Sequence, residues 1–225
     1  MGPSWYWMPD VFEEFFDALG SNVDDHLDLV RLDPSYRVWF ESGPIDIPAG
    51  SEAVEQLFDL MEVGAGEKFR AFIAEAGRKY ELGMGRFVRQ AGHTPMELVQ
   101  PSILPQVASL SLFGSLSKHV RHHFSDPRII QILEFPVLFL GARPANTPAL
   151  YSMMNYADTV LGTWYPMGGM NKIVQAMESE AARQGVQFHY GVEVQEILES
   201  GGRAVGVVAD GKSCLSDTVI AAADY

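Results

Sequence analysis

The run Leu161-Gly162-Thr163-Trp164-Tyr165-Pro166-Met167-Gly168-Gly169-Met170 marks where this chain changes character. Thr163 to Tyr165, β-branched and aromatic, predicts a short strand, and Gly168-Gly169 predicts a turn. Beyond it Ile173, Val174, Met177 and Ala181 share one helical face that ends before Gly185. Strands are then expected over 186–190, 192–198, 204–208 and 218–222, with Gly201-Gly202 and Asp210-Gly211 as hairpin turns. That order is an α/β lobe over 166–225. The preceding residues, 1–165, read as largely helical with a small sheet, so the whole chain is α+β in two lobes.

Upstream, Pro9 sits at a first helical turn, and Val11, Phe12, Phe15, Phe16 and Leu19 follow at helical spacing up to Gly20. Tyr36 to Phe40, a glycine-bearing turn and Ile45 to Ile47 predict a β-hairpin. Ser51 begins a helix carrying Val54, Leu57, Phe58 and Met61, which Gly64-Ala65-Gly66 breaks. Phe69, Phe72, Ile73, Ala76 and Tyr80 then place a longer helix that runs towards Arg89. Pro95, Pro101 and Pro105 predict short helices from about Met96 and Gln106. Leu116, Val120 and Phe124 share a face, Ser125-Asp126-Pro127 caps a helix through Leu133, and Thr147-Pro148 starts another through about Val160. The apolar run Phe135 to Leu140 fits strand or helix equally.

Composition narrows the function. With 225 residues, 47% hydrophobic and 20% charged, the chain buries a core. A net charge of -13 excludes duplex nucleic acid as an expected partner, because phosphate binding needs a dense basic surface. The single cysteine, Cys214, forms no intrachain disulfide, and a reduced cytoplasmic setting is the default expectation. Met1 to Trp7 lacks the build of a signal peptide, and no apolar run approaches the ~20 residues of a spanning helix. Any membrane contact is therefore expected from one side.

Several stretches together carry a resemblance: Gly2-Pro3-Ser4-Trp5 with Met8-Pro9, Leu32-Asp33-Pro34-Ser35-Tyr36-Arg37-Val38, Trp164 to Gly169, and Gly191 to Ile197 with Gly201-Gly202 and the terminal Ala223-Asp224. In order and spacing they resemble the bacterial-type phytoene desaturases, carotenoid-forming flavoenzymes of the amine-oxidase-like FAD superfamily. The resemblance implies a substrate-binding lobe over 1–165 and part of an FAD-binding lobe over 166–225. It also implies an interior stretch of a larger enzyme, inactive alone, with the dinucleotide-binding glycine fingerprint outside it. Gly83-Met84-Gly85 and Gly64-Ala65-Gly66 lack the strand and third glycine of that fingerprint.

The chemistry so implied is removal of a hydride and a proton from a long apolar polyene, with FAD taking the hydride. Phe113, Phe135, Phe139, Tyr151, Met154 and Trp164 are candidate substrate-binding residues. Val194, whose backbone would meet the adenine edge, and Gly168, Gly169, Ala222 and Ala223, small enough for close approach, are candidates for the cofactor. Glu97 is the candidate catalytic acid or base, with a solvated helix-start carboxylate as its plain reading. His119, His122 and His123 are read as a solvated face, since no Cys or acidic ligand accompanies them on a matching segment, so no metal is expected. With Arg128 they would instead rest on anionic headgroups, a peripheral contact on the inner membrane face. Self-association through exposed apolar surface is also expected. Two other readings stay open: a related flavoprotein with a polar amine or retinoid substrate, and a non-catalytic apolar-ligand or lipid-surface module.

Overall fold

Phenylalanines at helical spacing build the larger core. Helix α2 (Ser51–Met61) buries Val54 and Phe58, and α3 (Ala65–Leu82) buries Phe69, Phe72, Ile73 and Ala76. The Phe58 and Phe69 rings meet edge-on at 4.9 Å. The computed structural model describes residues 5–87 and 114–222, and the chain divides into two units, 1–177 and 178–225.

The α2–α3 junction explains one glycine cluster. Gly64 turns the chain at φ 77°, and a Cβ on Gly66 would lie 2.5 Å from Asp59 Oδ2 and 2.8 Å from the Glu55 carbonyl. Only glycine lets α3 start flush against α2, where Asp59 Oδ1 accepts the Gly66 N–H at 2.8 Å. Gly83 and Gly85 lie in a π-helical turn, Gly83–Phe87, that prolongs α3. The first cluster thus joins two helices and the second prolongs one.

Helix α4 (Leu116–His123) is capped by Ser115 and α5 (Pro127–Glu134) by Asp126, with Pro127 in the first turn. Leu116, Val120, Phe124, Ile129, Leu133 and Val137 complete the core begun by α2 and α3. Phe135–Leu140, open on the sequence, is a 3₁₀ helix. The single helix expected through Val160 is three pieces: a 3₁₀ turn Ala149–Ser152, α6 (Met153–Tyr156) and a π turn Ala157–Leu161. Two cations accompany the breaks: Lys79 donates to the Ala149 carbonyl and Ser152 Oγ, and Arg31 to the Thr159 and Val160 carbonyls, while Asn155 donates to the Leu133 carbonyl of α5.

Strands β2 (Tyr36–Phe40) and β3 (Gly43–Ile47) form the expected hairpin, Tyr36 opposite Ile47. Strand β1 (Leu29–Arg31), too short to show alternation in sequence, pairs antiparallel with β4 (Trp164–Pro166). A second cluster gathers Tyr6, Phe16, Val23, Leu27, Ile173 and Ala176, with Phe16 from α1 (Pro9–Ala18) and the last two from α7 (Asn171–Arg183).

The second unit holds an antiparallel meander, β5 (Val194–Ser200), β6 (Arg203–Ala209) and β7 (Lys212–Leu215), in that order. Two expectations fail here. Val186 to Tyr190 is not a strand, and the last strand lies at 212–215 rather than 218–222. Asp210 and Gly211, at φ 46° and 72°, make a two-residue reversal, so the residues next in line pair with β6 immediately. Mixed helix with small antiparallel sheets makes the chain α+β.

Gly66→Ala is expected to lower stability by about 1–3 kcal/mol despite alanine's higher helix propensity, since the new methyl meets the Glu55 carbonyl as well as the movable Asp59 side chain. Urea denaturation beside a Gly85→Ala control, where a methyl meets open space, checks it.

Candidate functional site

Residues 5–7 run extended beside β4, with Tyr6 bridging Trp164 and its carbonyl accepting the Trp164 N–H at 3.0 Å. Tyr6 is buried in the second cluster, stacked on Phe12 at 4.5 Å. Its neighbours join a different group: Trp5 and Trp7 meet edge-on at 5.6 Å. Trp5 lies 5.9 Å from Tyr36, 6.0 Å from Phe135 and 5.6 Å from Phe139, and Trp7 lies 5.0 Å from Phe139. Tyr36 in turn contacts Phe135 at 5.6 Å. Five rings thereby enclose an aromatic cluster at separations typical of edge and tilted pairs. Beside it opens a cavity of about 550 Å³ whose walls include Trp5, Tyr36, Val38, Trp39, Ile132, Phe135 and Leu138, with Arg37, Gln131, Glu134 and Pro144.

A polar network underlies the rings. Tyr36 donates its hydroxyl to Asp158 Oδ2 at 2.7 Å, and Thr163 Oγ1 donates to Asp158 Oδ1 at 3.3 Å. The Thr163 oxygen accepts the Trp7 indole N–H at 2.7 Å. Asp158 is 5% exposed. Burial pushes its carboxyl up to about 6, against the two hydroxyl donors that favour the charged form. The Tyr36 phenol is raised well above its ordinary value, first by burial and then by Asp158. A second cavity, about 580 Å³, has Glu13, Asp24, Asp25, His26 and Asp28 in its walls. That acidic lining suits no hydrocarbon.

Phe135 and Phe139, four residues apart on the 3₁₀ segment, meet edge-on at 5.7 Å within the ring cluster. Tyr151 instead packs on the main core, and Met154 is half-buried on α6. Trp164 packs on the second cluster and donates its indole N–H to the Leu161 carbonyl at 2.8 Å. Gly168 and Gly169, at φ 91° and 103°, form the turn between β4 and α7. Val194 and Ala222 lie in the second unit and are exposed, Val194 on the edge strand β5. An edge strand leaves backbone N–H and C=O groups unpaired on its outer side, which fits recognition of an adenine edge by backbone alone. Glu97, Phe113 and Ala223 lie outside the described residues.

The sequence missed Tyr36, Asp158 and Thr163 as a unit. Asp158 stands among apolar residues in Ala157-Asp158-Thr159-Val160-Leu161, an acid in a greasy run, and that was the available signal. The histidines also differ from expectation: His122 is exposed, but His119 and His123 turn inward onto Phe72, at ring separations of 5.5 and 5.9 Å. Burial pushes His119 down to about 4. Arg128 is held by Asp126 at 2.6 Å.

The ring-lined cavity is thus backed by a buried carboxyl that one of its wall residues, Tyr36, holds by a hydrogen bond. The profile of the flavin containing amine oxidoreductases spans residues 1–225. The chain belongs to that family. It is 37% identical over 227 residues to a carotenoid 3,4-desaturase of Haloarcula japonica, covering all of this chain and 46% of that protein. It is 33% identical over 227 residues to a zeta-carotene-forming phytoene desaturase of Myxococcus xanthus, covering all of this chain and 44% of that one. Among solved structures, an oxidoreductase from Methanosarcina mazei aligns over 85% of this chain and 38% of its own at 21% identity, with a TM-score of 0.48. The chain spans somewhat under half the length of the desaturases it matches.

Asp158 has a raised folded pKa, so its contribution to stability is full below about pH 4 and is lost as pH rises through about 6. Asp158→Asn, which keeps an acceptor for Tyr36 without the charge, is expected to flatten that decline and to gain about 2–3 kcal/mol over wild type at pH 7. Thermal denaturation across this pH range measures both.

Proposed function

We propose that this chain shapes the substrate side of an FAD-dependent desaturase acting on a long polyisoprenoid hydrocarbon of the phytoene type. The observation that carries the reading is the apolar cavity beside the five-ring cluster. A hydrocarbon offers no hydrogen bond, so its site must work by apolar burial and shape, and aromatic walls supply the most area per side chain. The names of the similar desaturases support the same substrate class.

Desaturation takes a hydride and a proton from adjacent carbons, and the flavin supplies hydride acceptance when bound. Backbone groups of Val194 would hold the adenine, and the Gly168-Gly169 turn would allow close approach of the ring system. The chain's own side chains hold the polyene and keep water out. Tyr36, which lines the cavity and donates to Asp158, sets a buried carboxyl behind the wall, where it can hold a proton. Glu97 is the alternative proton acceptor. The buried acid beside aromatic rings is also what a polar-amine substrate would require. Asp158 argues against that substrate, because both its oxygens are already engaged by the Tyr36 and Thr163 hydroxyls.

Membrane delivery of the polyene accords with a rim of exposed apolar side chains, Trp39, Leu138, Phe139 and Leu140, of which Trp39 and Leu138 border the cavity. Among the described residues no helix is long and apolar enough to cross a membrane. This rim, rather than the histidine-bearing helix, would touch the bilayer. Self-association remains proposed for the second unit, whose Val194, Ile197, Leu215 and Ile220 are exposed.

The full-length protein is expected to bind FAD, to convert phytoene, and to lose tryptophan emission when a coloured carotene is added. Trp5→Phe should remove a substantial share of that quenching. A flavin-loaded protein that neither quenches with carotenes nor desaturates phytoene, but oxidises an amine, overturns the reading. For the membrane contact, flotation with phosphatidylcholine vesicles should fail for Trp39→Ser/Leu138→Ser while wild type floats, and anionic lipid should not strengthen binding, given the net charge of -13.

A further inference from the structure

The same fold brings together three ligand-type side chains that play no part in the site above. Helix α3 presents Glu75 and α4 presents His119 and His123, four apart and so on one face. One donor atom from each lies within 4.8 Å of the others. His119 Nε2 and Glu75 Oε1 face each other at 3.6 Å. In the sequence Lys118 and Arg121 lie beside these histidines, and no Cys or acidic partner accompanies them on a matching segment. Glu75 is that partner, brought in from about forty residues upstream by the packing of α3 on α4.

Two further features separate this cluster from a chance surface grouping. His119 is only 11% exposed and its Nε2 is buried without a hydrogen-bond partner, although buried polar atoms are nearly always paired. The rings are also oriented: Phe72 packs against both His119 and His123, and the two imidazoles stand edge-on at 5.2 Å. Their positions are thus set by the core rather than by solvent.

We propose that Glu75, His119 and His123 form a binding site for one divalent transition-metal ion of the zinc class, clamping α3 to α4. Two imidazoles and one carboxylate are a borderline donor set that favours such ions over calcium or magnesium, and three ligands leave a further position for water. The separation of 3.6 Å between Oε1 and Nε2 is close to that of adjacent ligands around a tetrahedral ion with bonds of about 2.0–2.1 Å. Lys79 Nζ also reaches Glu75 Oε1, at 2.8 Å. Its other contacts, the Ala149 carbonyl at 3.2 Å and Ser152 Oγ at 3.0 Å, hold it when the carboxylate turns to the metal. An ammonium beside the carboxylate makes the site weaker than a closed four-ligand zinc site. The inference is independent of the reading of the aromatic cavity.

Cobalt(II) and zinc(II) titrations of the purified, tag-free protein provide the test. Saturation at one equivalent with the visible absorption of tetrahedral cobalt, and a rise in Tm with zinc, are expected. His123→Gln should weaken binding at least tenfold and Glu75→Gln should do likewise, while His122→Gln, an exposed neighbour on the same turn, should leave it unchanged. The Tm of each variant without metal shows that it folds, and His119→Gln is the replacement should either fail. No saturable binding, or equal loss from the His122 and His123 variants, overturns the site in favour of casual surface histidines.

Discussion

A buried carboxyl shared by two hydroxyl donors is the interaction on which the aromatic cavity rests. Asp158 ties Tyr36 at the start of β2 to Thr163 ahead of β4, and Thr163 ties in Trp7 from the N-terminal stretch. Apolar packing is strong but has little direction, whereas hydrogen bonds in a low-dielectric interior demand particular angles. The Tyr36 ring, fixed by its hydroxyl, contacts Trp5 and Phe135, and Trp5 contacts Phe139. An oily wall thus takes its shape from a polar network beneath it.

The network requires the irregular segment that contains Asp158. Residues 149–161 pass from 3₁₀ to α to π, and each change of register frees backbone carbonyls. Two cations from elsewhere take them up. The fully buried Lys79 donates to the Ala149 carbonyl at the beginning, and Arg31 donates to the Thr159 and Val160 carbonyls at 3.1 and 3.2 Å at the end. Arg31 also occupies the space beside Gly162, where a Cβ would lie 2.6 Å from its Nε. That glycine, at φ 90°, lets the chain leave the π turn and reach Thr163. Burial pushes the Lys79 ammonium down, and Glu75 opposes the shift. Glu75, one turn earlier on α3, thus offsets part of the cost of burying the ammonium.

These dependencies explain what the sequence disclosed. The helices α2 to α5 were legible because Phe58, Phe69, Phe72, Val120 and Leu133 recur at a spacing that needs no knowledge of partners. The β2–β3 hairpin was legible from its glycine turn between β-branched and aromatic residues. The broken segment 149–161 was not, since its register is dictated by Lys79 and Arg31, distant in sequence. The position of β7 follows from a local feature: the two-residue Asp210-Gly211 turn sets Lys212 directly opposite Ala209, so pairing begins at once and not at Thr218. Of the ring cluster, Phe135 and Phe139 stand out in the sequence by residue type. Asp158 and the inward face of His119 and His123 depend on contacts between segments and left only faint local traces.

The placement of Tyr6 between two tryptophans connects the two clusters of the first unit. In an extended chain alternate side chains point to opposite sides. One backbone bridge, Tyr6 to Trp164, accordingly commits Tyr6 to the cluster around Phe16 and Ile173 and sends Trp5 and Trp7 to the ring cluster. A slip of one residue would exchange these assignments, burying two indoles where one phenol fits. It would also remove the Trp7 N–H from Thr163, leaving the Asp158 network short of a partner. The register of this three-residue stretch is therefore held by side chains on both faces at once. Trp5 lines the apolar cavity, and Trp164, bridged to Tyr6, lines the acidic one with Glu13 and Asp24 to Asp28.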